Sequence, residues 1–313
     1  MSLVINEKYK TSVQGLAKFY ANRALRLYPI NIAILVAFTF VAYWGALPKT
    51  EPFIFGSQML AGERTLSILN QVLIVPDVLW QNIHLNPSAN SLIFGQLYTV
   101  GLEIIFYALA PFIVTQRLCI VLLFTAAATA LHFGMYVTGL PARPWQYEFF
   151  PGILVFFLLG NLAYRGLLVL RTLHYPKWRG YLTLPVFLAY CLWVHDASLA
   201  QFTNNTKVFG LYILTAVMIP FLFEASKSAR WDQAIGDLSY PCYAVHYLIG
   251  FAVVGLPGTG SAQQNMKVLW ITLTASVALV LLIDKPMDRL RTKIAKIRQR
   301  RSGFGEETLA GGG

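Results

Sequence analysis

Apolar residues along this chain fall into long blocks, and the polar and charged residues collect in short clusters between them. Eight apolar blocks lie at approximately 30–47, 92–114, 118–138, 150–168, 181–195, 208–224, 239–256 and 267–283, the fifth being the shortest. Blocks of about twenty residues match a hydrocarbon core of roughly 30 Å at about 1.5 Å of helical rise per residue. The fold class this predicts is all-α, a polytopic transmembrane helix bundle of about eight spans. Residues 66–80 are also apolar, but Asn70, Gln71, Pro76 and Asp77 interrupt them, as in a re-entrant or interfacial helix. The segment 48–91 is the one long connection, with Pro48, Pro52, Gly56, Gly62, Pro76, Trp80 and Pro87, and a loop of that length is commonly functional. Residues 1–295 read as the membrane domain and 296–313 as a basic, then flexible, tail; the Lys285–Arg301 stretch suits anionic lipid headgroups.

Composition agrees with this pattern. Apolar residues make up 56% of the 313, charged residues only 12%, and mean hydropathy is +0.55; soluble domains carry about 25% charge. The net charge of +11 does not form one basic domain, which argues against nucleic acid as a partner. With both termini cytoplasmic, 20 of the 25 Lys and Arg fall on the inner side, so the positive-inside bias predicts a multi-pass inner-membrane protein in that orientation, with membrane lipids as its surroundings. The first 29 residues carry Lys8, Lys10, Lys18, Arg23 and Arg26 without an apolar h-region, so insertion relies on the internal spans. Cys119, Cys191 and Cys242 all fall within apolar blocks and read as packing residues. His84, His132, His174 and His195 lack metal-ligand spacing, and no phosphate-binding or dinucleotide fingerprint is present, so no metal and no bound cofactor is expected.

Three polar constellations interrupt the apolar pattern. In FYANRALRLYP, Phe19, Arg23 and Arg26 share a helical face; the two guanidiniums read either as positive-inside anchors or as a phosphate clamp. In GQLYTVGLEIIFYALAP, Gly95, Thr99, Glu103 and Tyr107 recur every four residues. A mid-span carboxylate is costly unless it faces protein, water or a partner, so Glu103 is a functional group or an interhelical hydrogen-bonding one. In GDLSYPCYAVH, Ser239, Tyr243 and His246 share a face, and His246 reads as a packing residue or a catalyst, with Pro241 loosening the helix start. Gly152, Phe156 and Gly160 suit close helix packing.

Together these blocks resemble the acyltransferase-3 family of membrane O-acyltransferases. Phe19, Arg23, Arg26 and Pro29 resemble its F-x-x-x-R-x-x-R-x-x-P segment. Tyr98, Thr99, Val100, Glu103, Phe106, Tyr107 and Pro111 resemble its W-T-L-x-x-E-x-x-F-Y-x-x-x-P, with Tyr for Trp and Val for Leu. Ser239, Tyr240, Tyr243 and His246 resemble its S-Y-x-x-Y-x-x-H, and Asp284, Lys285 and Pro286 its closing acid-x-Pro. The resemblance implies transfer of an acyl group, often acetyl, from acyl-CoA to a hydroxyl of a carbohydrate or other small acceptor. On that reading acetyl-CoA is a donor substrate rather than a resident cofactor. Arg23 and Arg26 would bind the donor, Glu103 and His246 would play supporting catalytic roles, and Thr99, Tyr107, Ser239 and Tyr243 would line the chamber. Family members have about ten spans, and the histidine implied as base lies in the first. Met1-Ser2-Leu3-Val4 aligns where their second span ends, so the expectation is a chain lacking those two helices and, alone, lacking activity. The competing classes are an inactive or partner-binding remnant and a secondary transporter, the latter without a visible inverted repeat.

Overall fold

The computed structural model describes residues 2–8, 13–43, 72–74, 98–141, 145–146, 148–173, 175–194, 206–254 and 260–290. Every apolar block of the sequence falls in a helix over its described part, and no strand occurs among the described residues. The helices are α1 (Ser2–Lys8), α2 (Val13–Tyr43), α3 (Tyr98–Ile113), α4 (Leu118–Val137), α5 (Phe150–Thr172), α6 (Thr183–Val194), α7 (Thr206–Ser226), α8 (Arg230–Val254) and α9 (Ala262–Leu279). A 3₁₀ turn, Lys177–Leu182, leads into α6, and a π turn, Val280–Asp284, follows α9, with helix continuing to Leu290. Among the described residues five helical stretches are long and apolar enough to cross a bilayer: Gly15–Phe40, Leu118–Val137, Phe150–Thr172, Lys207–Ser226 and Ala262–Leu290. Thr99–Ile113 is apolar but shorter. The molecule is a polytopic helical membrane protein.

Helix is the only way such segments can meet lipid, because each backbone N–H and C=O must then be satisfied within its own segment. Hydroxyls inside the apolar helices obey the same constraint by bonding back one turn: Thr125 to the Val121 carbonyl at 2.7 Å, Thr129 to Thr125 at 2.7 Å, Thr215 to Leu211 at 2.7 Å. α4 ends at Gly139, whose φ of +70° lets the amides of Gly139 and Leu140 bond the carbonyls of Tyr136 and Met135 at 3.0 and 3.1 Å. α9 starts on a reciprocal cap between Ser261 and Gln264.

The chain divides into two units, Met1–Leu16 with Met59–Ala234, and Ala17–Gln58 with Ile235–Gly313. In the first, α5 is central, meeting α1, α3, α4 and α7, while the 3₁₀ turn and α6 also lie on α7. Phe106 of α3 stacks on Phe157 of α5 at 4.4 Å, and Phe156 of α5 meets Tyr212 of α7 at 4.5 Å. Gly152 brings α5 against α4, where a Cβ would collide with Met135. In the second, Phe19, Leu27, Ile30 and Ile34 of α2 and Val245, Leu248 and Ile249 of α8 are buried.

Several expectations need correction. The first membrane helix begins at Val13, well before residue 30, so Arg23 and Arg26 ride on the same continuous helix as the apolar block. Pro241 is buried in mid-helix, because α8 starts at Arg230, so it does not loosen a helix start. Gly160 is open, with nothing within 4 Å of an added Cβ, and makes no close helix contact. Cys119 is exposed at the start of α4 and does not pack. The 66–80 segment apart from 72–74, the rest of the 48–91 connection, and the 296–313 tail with its boundary lie outside the described residues.

Candidate functional site

On α3 the buried residues Leu102, Phe106, Tyr107, Ala110 and Val114 form an arc, while Leu109 and Phe112 are exposed on the other side. At about 100° per residue, Glu103 falls inside that buried arc, with Thr99 one turn before it. Both are half-buried. The Tyr107 hydroxyl, one turn on, donates to Glu103 Oε1. A phenol held by its buried ring can deliver that proton in one direction only, so the Glu103 carboxylate keeps a fixed donor on one oxygen. This gives a carboxylate on an otherwise apolar helix a hydrogen-bond donor of its own helix.

The second unit carries the other two constellations. Phe19 is fully buried, and the Arg23 guanidinium lies 5.6 Å from its ring centroid, a cation–π distance. Arg23 and Arg26 are both half-buried. Pro29 contributes no N–H to the turn beyond them. Immediately after Arg26, the carbonyl of Leu27 accepts a hydrogen bond from the Tyr240 hydroxyl of α8 at 2.9 Å. Blocks more than two hundred residues apart in sequence are thereby joined: the arginine pair and the Ser-Tyr…His segment share one hydrogen-bonded corner.

His246 lies six residues beyond Tyr240, about 9 Å along the helix. Its Nδ1 is 2.6 Å from the Tyr243 carbonyl oxygen. A carbonyl can only accept, so Nδ1 is the donor in this contact. The Tyr243 and His246 rings lie 5.7 Å apart, and both residues are half-buried. Ser239 is exposed and its hydroxyl donates to the Gly236 carbonyl of its own helix at 2.8 Å, so its oxygen is engaged locally.

Sequence reasoning missed several polar groups in the first unit. Asn161, in the middle of an apolar block, is 1% exposed; its Nδ2 donates to Ser2 Oγ at 2.9 Å and to the Val114 carbonyl at 3.2 Å, and its Oδ1 accepts from Arg165 Nε at 3.0 Å. Arg165 also donates to the Gln116 carbonyl, setting a cation at the C-terminal end of α3. Glu224 pairs with Lys227 one turn on and with Arg171 of α5 at 3.5 Å. Glu148, Gln146 and His132 are buried as well, His132 edge-on to Phe156 at 5.4 Å. A lone amide in an apolar run was a readable signal; the Arg171–Glu224 pairing had none, because it depends on how α5 meets α7.

A family model described as an acyltransferase domain, that of the acyltransferase-3 family, matches residues 3–284. The chain belongs to this family. No curated protein and no solved structure matches it significantly. The match in this acyltransferase-3 member runs from α1 to the last residue of the π turn, and so takes in the arginine pair, the Glu103 row, the Ser-Tyr…His block and Asp284.

Proposed function

We propose that the protein is an inner-membrane O-acyltransferase that moves an acyl group, acetyl foremost, from acyl-CoA to a hydroxyl of a carbohydrate or other small acceptor. The observation that carries this reading is the family match over residues 3–284 together with the hydrogen-bonded corner that joins the arginine pair to the His246 helix. Arg23 and Arg26 bind the donor's phosphates, for which two planar guanidiniums on one helical face provide paired donors. With both termini cytoplasmic, as the Lys and Arg distribution favours, this places donor capture on the side where acyl-CoA is made.

The reaction joins the acceptor oxygen to the thioester carbonyl carbon and breaks the carbon–sulfur bond. A base takes the hydroxyl proton, and the departing thiolate takes up a proton to leave as coenzyme A. In this scheme His246 plays a supporting part, accepting a hydrogen bond at Nε2 while Tyr243 holds Nδ1. Glu103, oriented by Tyr107, supplies a fixed negative charge, and Thr99, Tyr107, Ser239 and Tyr243 belong to the polar lining.

The test is release of coenzyme A thiol by purified protein in nanodiscs, given acetyl-CoA and a panel of sugar acceptors. Acetyl-CoA binding is expected of this chain, and acceptor-dependent release with matching acetylated product once the base histidine implied by the family is supplied on a relative's first two spans. Acetyl-CoA binding absent under all conditions, with intact fold, would sink the proposal.

A further inference from the structure

Outside the family's motifs, the connection between α5 and α6 combines three properties: a backbone packed closely on α7, exposed apolar side chains and, among the described residues, cations without an ion-pair partner. Gly180 permits that close approach. That residue is buried on α7, and a Cβ there would lie 2.9 Å from the Ala225 Cβ and nearer still to the Phe221 carbonyl oxygen. The Tyr181 hydroxyl donates to the Ala225 carbonyl at 3.3 Å, Thr183 Oγ1 donates to the Gly180 carbonyl at 2.7 Å, and Tyr175 packs edge-on against Phe221 at 5.3 Å. The turn is thus laid flat along the end of α7.

From that platform Leu173, Trp178 and Leu182 project with 68%, 62% and 59% of their surface exposed. Lys177 and Arg179 are exposed between them, and among the described residues neither is within ion-pair distance of a carboxylate. The nearby acid, Glu224, is already shared by Arg171 and Lys227. The Arg179 guanidinium carbon sits 5.5 Å from the Trp178 ring centroid, a cation–π distance.

We propose that this turn docks one anionic phospholipid of the surrounding bilayer, its phosphodiester taken by Lys177 and Arg179 and its glycerol and upper acyl chain lying against Trp178, Leu173 and Leu182. Several features favour a lipid. The turn joins the end of one apolar helix to the start of the next, which is headgroup depth, where tryptophan concentrates. Cations there attract anionic lipid by about 1 kcal/mol each. A free phosphate in water would have no use for three exposed apolar side chains flanking the cations. The lipid in turn would cover that surface and stiffen the α5–α6 hinge against α7.

Two measurements on the full chain decide this. Native mass spectrometry from neutral detergent should show phosphatidylglycerol adducts retained over phosphatidylcholine. The Lys177→Gln, Arg179→Gln double variant should lose about tenfold or more of that preference, and the Lys177→Arg, Arg179→Lys swap should keep it. On the wild-type chain, a photoactivatable phosphatidylglycerol should label peptides spanning 173–182. Labelling confined to other segments, or an unchanged lipid preference in the neutral double variant, overturns the proposal. So does displacement of the lipid by free coenzyme A, which would make the turn a soluble-phosphate site.

Discussion

Asn161 offers the sharpest test of how this membrane domain holds together. It is almost fully buried on α5, and three hydrogen bonds converge on it: to Ser2 Oγ, to the Val114 carbonyl and from Arg165 Nε. Interhelical hydrogen bonds in membrane bundles average about 0.6 kcal/mol and reach about 1.7. The two that leave α5 therefore amount to about 1.2 kcal/mol, and loss of the in-helix acceptor of Arg165, which keeps the Gln116 carbonyl, brings the cost of Asn161→Ala to about 2. Even about 2 kcal/mol changes the folded-to-unfolded ratio by roughly thirtyfold. Unfolding in mixed micelles titrated with denaturing detergent reads this directly. Asn161→Asp, which keeps the acceptor facing Arg165 but loses both donors, should fall between wild type and Asn161→Ala. A cycle with Ser2→Ala should return a coupling of about 0.6 kcal/mol. If Asn161→Ala unfolds within about 0.5 kcal/mol of wild type, the three bonds contribute nothing net and Asn161 does not hold α5 to its neighbours.

Arg23→Ala and Arg26→Ala should each weaken coenzyme A binding by roughly tenfold or more, the scale of one lost charge-assisted hydrogen bond pair, as read by calorimetry; unchanged affinity in both leaves them as membrane anchors. Glu103→Gln should lower acyl transfer more than Tyr107→Phe does, since the first removes the charge and the second only the donor that orients it; equal full activity in both reduces the row to packing. Gly180→Ala should lower thermal stability by about 1–3 kcal/mol, because the new methyl meets the α7 backbone; a neutral result would mean the turn can lift off α7 freely. Cysteine labelling at positions 57 and 302 in spheroplasts should find the first reachable before permeabilisation and the second only after, with the reverse pattern overturning the orientation.

Hydropathy made the helices legible because it reports contact with lipid, and lipid admits little else than helix. The same property hid the true start of α2. Lys18, Arg23 and Arg26 precede the apolar block without being poor helix formers, so the lipid-contact signal began well after the helix did. The candidate residues were legible in part: a carboxylate in an apolar run stands out, and its i+4 tyrosine follows from helical geometry. The hydrogen bond from Tyr240 to the Leu27 carbonyl could not be read, since it depends on α8 meeting α2. Ser239 shares the face of Tyr243 and His246 by spacing, but spacing cannot tell that its hydroxyl turns back onto Gly236.

The Asp284-Lys285-Pro286 block acquires a physical meaning only from the helix around it. Pro286 has no N–H, so in a regular α-helix the carbonyl four residues earlier would lose its donor inside an apolar run, where no water replaces it. Just before Pro286 the helix widens into a π turn over Val280–Asp284, in which the Lys285 amide bonds the Val280 carbonyl five residues back. One extra residue in the turn shifts the register of everything after it by about 100°. Asp284 closes that turn and is half-buried, while Leu281 and Leu282 stay exposed. The widened turn thus sits just before Pro286, and its extra residue sets the helix face on which Asp284 lies.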